Sequence, residues 1–117
     1  MAAAEGTELT PEDAFRLVED GAQLVDVRQP HEHEAGHIGG DRHVPLADLP
    51  SQADTLDRDR PVVFYCRVGS RSAMAVEAFR TGGFEAYNLA GGIEAWTEAG
   101  RPIEPEGGRV VSSNLPG

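Results

Sequence analysis

The sequence has no lysine, one cysteine, one tryptophan and no long apolar run. Each scarcity excludes something. A single cysteine cannot close an internal disulfide. It also supplies too little of the Cys/His set that a structural zinc site needs. No segment approaches the ~18 consecutive apolar residues of a membrane span. The first residues, Met1-Ala2-Ala3-Ala4-Glu5, lack the basic stretch and apolar core of a secretory signal, so a cytoplasmic protein is the expectation. Positive charge is scarce too. Ten basic residues, all arginine, stand against 20 acidic ones, for a net charge of −10. A chain this acidic repels nucleic acid and anionic membrane, which removes both as expected partners. Against that background any local cluster of arginines is informative, and two of them, Arg67 and Arg71, flank the lone Cys66.

The chain has 117 residues, 39% of them hydrophobic. That suits one compact domain, since roughly 100–200 residues per domain are typical. Thr10-Pro11-Glu12-Asp13 reads as a helix start, with Thr10 able to cap and Pro11 at home in the first helical position. Ala14, Leu17 and Val18 give the helix an apolar stripe, and Gly21 ends it. Ala22 to Val27 reads as a buried strand. Residues 29–40 are polar and read as a loop with at most one helical turn. Arg42-His43-Val44 fits a short strand, and Leu46 to Leu56 a helix interrupted by Pro50. Pro61-Val62-Val63-Phe64-Tyr65 is the clearest strand, β-rich and uncharged. A helix over residues 72–80, a strand over 84–89 and a helix over 92–99 complete the pattern. Strands that look buried on both faces, alternating with helices, indicate an α/β fold with a parallel sheet covered by helices. The expected domain is residues 1–104, with 105–117 as a flexible or loosely packed tail.

The feature that carries chemistry is the strand, then Cys66, then a short loop containing Gly69, then a helix. In open α/β sheets ligands bind outside the carboxyl ends of the strands. Backbone N–H groups of residues 67–72, with the helix N-terminus, can surround a point above the sulfur and form an anion site. Such a cradle is expected to lower the thiol pKa below its free value of ~8.5 and to ready a nucleophile. It could equally hold an incoming anion.

The chain resembles the single-domain rhodaneses, a sulfurtransferase family, from about Leu9 to Ile103. Four blocks carry the resemblance: Leu24-Val25-Asp26-Val27-Arg28-Gln29-Pro30-His31-Glu32; Glu34-Ala35-Gly36-His37-Ile38-Gly39-Gly40 with His43-Val44-Pro45-Leu46; the loop Cys66-Arg67-Val68-Gly69-Ser70-Arg71-Ser72; and Leu89-Ala90-Gly91-Gly92-Ile93-Glu94-Ala95-Trp96. Each block is weak alone; their order and spacing are specific. The resemblance implies a three-layer fold with a central parallel five-stranded sheet. It implies Cys66 as catalytic nucleophile, persulfidated by a small anionic sulfur donor such as thiosulfate. Cyanide, a thiol or a protein would then accept the sulfur. Arg67, Val68, Gly69, Ser70, Arg71 and Ser72 would bind substrate, with no metal and no cofactor. Phosphatase relatives of the fold place five residues between the Cys and an Arg that grips phosphate with two N–H groups. Here Arg71 follows after four, and Ser72 occupies the phosphatase position. The shorter loop suits sulfur over phosphate or arsenate. Arg67 and Arg71 favour an anionic donor, while Val68 departs from the basic residue often found in two-domain thiosulfate enzymes. A non-catalytic module and a sulfur-relay partner are the alternatives.

The remaining candidates have plainer readings. His31, His33, His37 and His43 have irregular spacing in an acidic segment, which reads as a solvated loop, with His37 holding that loop by hydrogen bonds. Asp26 and Arg28 follow a buried strand and are expected to pair with each other or with loop backbone. Ile93 and Trp96 are expected in the core, and Ser72 either donates to the sulfur or caps the helix, with the cap the readier reading.

Overall fold

The computed structural model describes residues 6–113, so the expectations for Met1–Glu5 and for the last four residues of the tail lie outside the described residues. Five strands form one parallel sheet: β1 (Glu8–Leu9), β2 (Gln23–Asp26), β3 (Arg42–His43), β4 (Val62–Tyr65) and β5 (Ala86–Leu89), in the order β1-β5-β4-β2-β3. The helices are α1 (Pro11–Glu19), α2 (Pro30–Ala35), α3 (Leu49–Gln52, flanked by single 3-10 turns), α4 (Ser70–Thr81) and α5 (Gly92–Glu98). Among the described residues, no helix is long and apolar enough to cross a membrane.

β4 is the central strand, and all four of its residues are fully buried. Successive side chains of a strand point to opposite faces. Val62 and Phe64 therefore enter one core with Val76 and Phe79 of α4 and Leu49 of α3. Val63 and Tyr65 enter a second core with Ala14 of α1 and with Ile93 and Trp96 of α5. Two cores on two faces make the three layers. Thr10 caps α1 by accepting from the Asp13 N–H, with Pro11 in the first turn. The region over residues 46–56 is not one helix but a 3-10 turn, a single α turn and another 3-10 turn, with Pro50 in the α turn.

Two further features depart from the sequence reading, and a third concerns the tail. β1 is a two-residue strand paired to β5, Glu8 beside Asn88 and Leu9 beside Leu89. A strand that short has no periodicity of its own. The histidine segment is not a solvated loop. The rings of His37 and His43 stack on the two sides of His33, with centroids 4.0 and 4.4 Å away. His33 Nδ1 lies 2.9 Å from Asp26 Oδ2, and His37 Nδ1 lies 2.9 Å from the His33 carbonyl, in line with the hydrogen-bonding role expected of His37. Finally, the start of the tail is tied down. His37 and Glu104 exchange two backbone hydrogen bonds, the Arg109 N–H donates to the Ala35 carbonyl, and Val110 packs on the second core. Gly36 has to be glycine for this contact, because a Cβ there would stand 2.5 Å from the Arg109 carbonyl oxygen.

Candidate active site

Cys66 follows β4 directly, at the carboxyl end of the central strand, and has no exposed surface. The Gly69 N–H at 3.1 Å and the Ser72 N–H at 3.4 Å converge on its sulfur, and the Ser72 hydroxyl oxygen also lies 3.4 Å away. The loop closes because Gly69 takes φ +105°, a conformation that L side chains rarely adopt. Helix α4 then starts at Ser70, two residues before the expected start. Ser72 therefore lies inside the first turn and is not the cap; Gly69 occupies that position. Ser72 is fully buried, and its hydroxyl faces the sulfur and Asn88.

Amides can face the sulfur only if the loop carbonyls turn elsewhere. The first turn of α5 takes them. The Ile93 N–H donates to the Cys66 carbonyl at 2.9 Å, and the Glu94 N–H to the Arg67 carbonyl at 3.1 Å. These are N–H groups that a helix start leaves without partners. The contact explains Gly92: a Cβ would stand 2.3 Å from the Arg67 carbonyl oxygen and 2.5 Å from that of Cys66. The Gly91-Gly92-Ile93-Glu94 block is thus the seat on which the cysteine loop rests.

Both loop arginines are committed to carboxylates. Arg71 makes a two-pronged pair with Glu32, at 2.8 and 2.9 Å, and Arg67 pairs with Glu94. The Glu32 side chain is fully buried. Burial pushes its pKa up, but the bond from Arg71, the Gln29 N–H and the Arg71 charge together hold it below the usual glutamate range. Pairing with Glu32 raises the Arg71 pKa. Val68 and Ser70 are exposed. The structure brings residues 66–72 together as a loop, 66–69, and the first turn of α4, 70–72, with Arg67 and Arg71 on the flanks in salt bridges.

Asp26 and Arg28 pair as expected: Nε and Nη2 of Arg28 reach the two carboxylate oxygens at 2.9 and 2.8 Å, and Nη2 also donates to the Gly36 carbonyl at 2.7 Å. Burial raises the Asp26 pKa, but the bonds and charge of Arg28 outweigh it and the net direction is down. The pair braces the turn between β2 and α2, which carries Glu32.

His33, His37 and Asp41 present ligand atoms within 4.8 Å of one another. Yet the His33 and His37 rings lie at 13° to each other in a stack. Near-parallel rings send their in-plane lone pairs side by side and not to a common point, so a cation would need a ring to turn out of the stack.

Sequence reasoning missed Asn88. It sits on β5, almost fully buried, and accepts the Ser72 hydroxyl proton on Oδ1 at 2.5 Å. Its Nδ2 donates to the Gly69 carbonyl at 3.1 Å and to the Glu8 carboxylate at 3.2 Å. The available signal was a polar residue in the strand Ala86-Tyr87-Asn88-Leu89, where an apolar one is the norm.

A buried cysteine ending the central strand of a parallel sheet, its sulfur met by two backbone N–H groups, marks an α/β domain organised around one thiol. The chain belongs to the rhodanese-like domain family, whose family model matches residues 10–99. Relatives include the Bacillus subtilis protein YqhL, named as uncharacterized, 43% identical over 73% of this chain and 68% of its own length. The thiosulfate sulfurtransferase GlpE of Pseudomonas paraeruginosa is 39% identical over 75% of this chain and 81% of its own length. Among solved structures, a rhodanese-related protein of Thermoplasma volcanium matches with TM-score 0.78 and 30% identity, over 83% of this chain and 96% of the other. The likeness to GlpE supports rhodanese-family sulfur transfer as the class of activity.

Proposed function

We propose that the protein transfers a sulfane sulfur through a persulfide on Cys66. The Cys66 thiolate attacks the outer sulfur of a donor such as thiosulfate. The new S–S bond forms as the donor's own S–S bond breaks, and sulfite leaves with the bonding pair. An acceptor (cyanide, a thiol or a protein) then attacks the outer sulfur, and the thiolate returns. Both the thiolate and the persulfide are anions, and the N–H groups of Gly69 and Ser72 are already aimed at the sulfur, so little reorganisation opposes either step. That convergence of donors is the observation that carries the reading.

Residues Arg67, Val68, Gly69, Ser70, Arg71 and Ser72 form the substrate loop in this reading. With Arg71 balanced by Glu32 and Arg67 by Glu94, backbone N–H groups do most of the work of holding the anion. Arg67, on the more exposed of the two pairs, is the arginine that meets an incoming donor. There is no second cysteine to take the sulfur internally, so the acceptor comes from outside the chain. The reading places this chemistry in the cytoplasm, with no nucleic acid and no membrane as partner. Incubation with thiosulfate tests it: Cys66 should gain one sulfur atom by intact mass, and cyanide should release it as thiocyanate. Absence of both from the wild type, with full Cys66 content, contradicts it.

A further inference from the structure

The two residues whose N–H groups reach the Cys66 sulfur, Gly69 and Ser72, share one further partner, Asn88. It comes from a different element, β5, and sits behind the loop. The orientation of its amide is fixed by its neighbours. The Gly69 carbonyl and the Glu8 carboxylate can only accept, so the NH2 faces them, and Oδ1 faces Ser72. The reverse orientation would put oxygen against oxygen at both contacts.

The Ser72 hydroxyl has one proton and two candidate acceptors, Asn88 Oδ1 at 2.5 Å and the Cys66 sulfur at 3.4 Å. The shorter bond holds the proton, so the hydroxyl anchors Ser72 to β5 and leaves the backbone N–H as that residue's donor to sulfur. On the other side Asn88 grips the carbonyl of Gly69 while the N–H of Gly69 points at the sulfur. One buried amide therefore clamps both donor-bearing residues. Glu8 of β1 clamps the amide in turn, which couples the edge strand to the site.

We infer that Asn88 is a positioning residue for sulfur transfer: it fixes Gly69 and Ser72 so that their N–H groups meet the anionic sulfur. This rests on the sulfurtransferase reading for its rate effect, but not for its effect on the reactivity of Cys66. Asn88 touches no reacting atom. Its removal leaves the donor's approach alone and loosens the cradle, so the loss falls on the chemical step.

The test is the single-turnover rate of persulfide formation in Asn88→Leu, Ser72→Ala and the double variant, alongside alkylation of Cys66 by iodoacetamide at neutral pH. Asn88→Leu should slow persulfide formation on the order of 10- to 100-fold, with a much smaller change in the thiosulfate concentration giving half-maximal rate. Ser72→Ala should lose less. The double variant should be no slower than Asn88→Leu, because the Ser72 hydroxyl acts through Asn88. A role confined to stability would lower the unfolding midpoint and leave the rate of the folded protein intact. Should Asn88→Leu not fold, Asn88→Asp keeps the shape and the acceptor for Ser72 while losing both N–H groups, and it should be slow as well. Either folded variant forming persulfide at the wild-type rate overturns the inference. If the wild type forms no persulfide, the sulfurtransferase reading fails on its own. Alkylation then decides for Asn88: slowed alkylation in the variants upholds the clamp, and wild-type alkylation overturns it.

Discussion

At the scale of single residues, the site depends on atoms that are absent as much as on those present. Gly92 has no Cβ because the Cys66 and Arg67 carbonyls occupy that space. Gly92→Ala must push the loop off α5, so we expect a loss of about 2 kcal/mol or more in urea unfolding, with persulfide formation strongly reduced. A variant with wild-type stability and rate would refute the seat described for the loop. The arginines make a contrasting pair. Arg71→Leu strands the buried carboxylate of Glu32, and breaking a buried pair from one side costs about 3 kcal/mol. Arg67→Gln breaks a pair that is a third exposed, which costs little stability. Its expected effect is a raised KM for thiosulfate. An unchanged KM would remove Arg67 from donor binding.

At the scale of elements, β4, α4 and α5 build the site, and they were unequally legible. Cys66, Gly69 and the strand before them could be read directly, because an uncharged β-rich run ending at a cysteine and a glycine turn is a local pattern. The start of α4 was placed two residues late, since Ser72 is a good capping residue and the true cap, Gly69, has no side chain to announce it. The Gly91-Gly92 block was visible as a motif, but its purpose lies in hydrogen bonds to a loop some 25 residues earlier. Asn88 and β1 were illegible for the same reason: each acts through partners distant in the chain. The histidine segment was misjudged because stacking of His33, His37 and His43 depends on the turn between α2 and β3, which spacing alone does not reveal.

At the scale of the whole molecule, buried carboxylates set the acid limit of the fold. Asp26 and Glu32 ordinarily titrate near 3.8 and 4.5, and in the folded protein both sit lower. The unfolded chain therefore binds protons first as the pH falls. The stability these groups contribute is full above their ordinary values and is lost as pH drops below about 4. Asp41 has the opposite sign: burial raises its pKa despite the Tyr65 hydroxyl bond, so its contribution falls as pH rises. Protonation of Asp26 and Glu32 in acid breaks their pairs with Arg28 and Arg71, so acid removes the stability that these pairs supply. The urea midpoint should fall between about pH 5 and pH 3, and Glu32→Gln should flatten that fall. A midpoint independent of pH over that range would contradict the pairing scheme. The tail contributes at this scale too. Removal of residues 105–117 deletes the Arg109 bond to Ala35 and the packing of Val110, and we expect a fall of several degrees in Tm. An unchanged Tm would mean that the tail contacts add nothing.

The net charge of −10 belongs to the molecule, whereas the proposed chemistry rests on one sulfur met by two N–H groups. The most direct measurement is the intact mass of the protein after incubation with thiosulfate, followed by addition of cyanide. The wild-type protein should gain one sulfur atom and release it as thiocyanate, and Cys66→Ser should do neither. A wild-type protein that stays at its unmodified mass and yields no thiocyanate, or a Cys66→Ser variant that still yields it, would contradict the account.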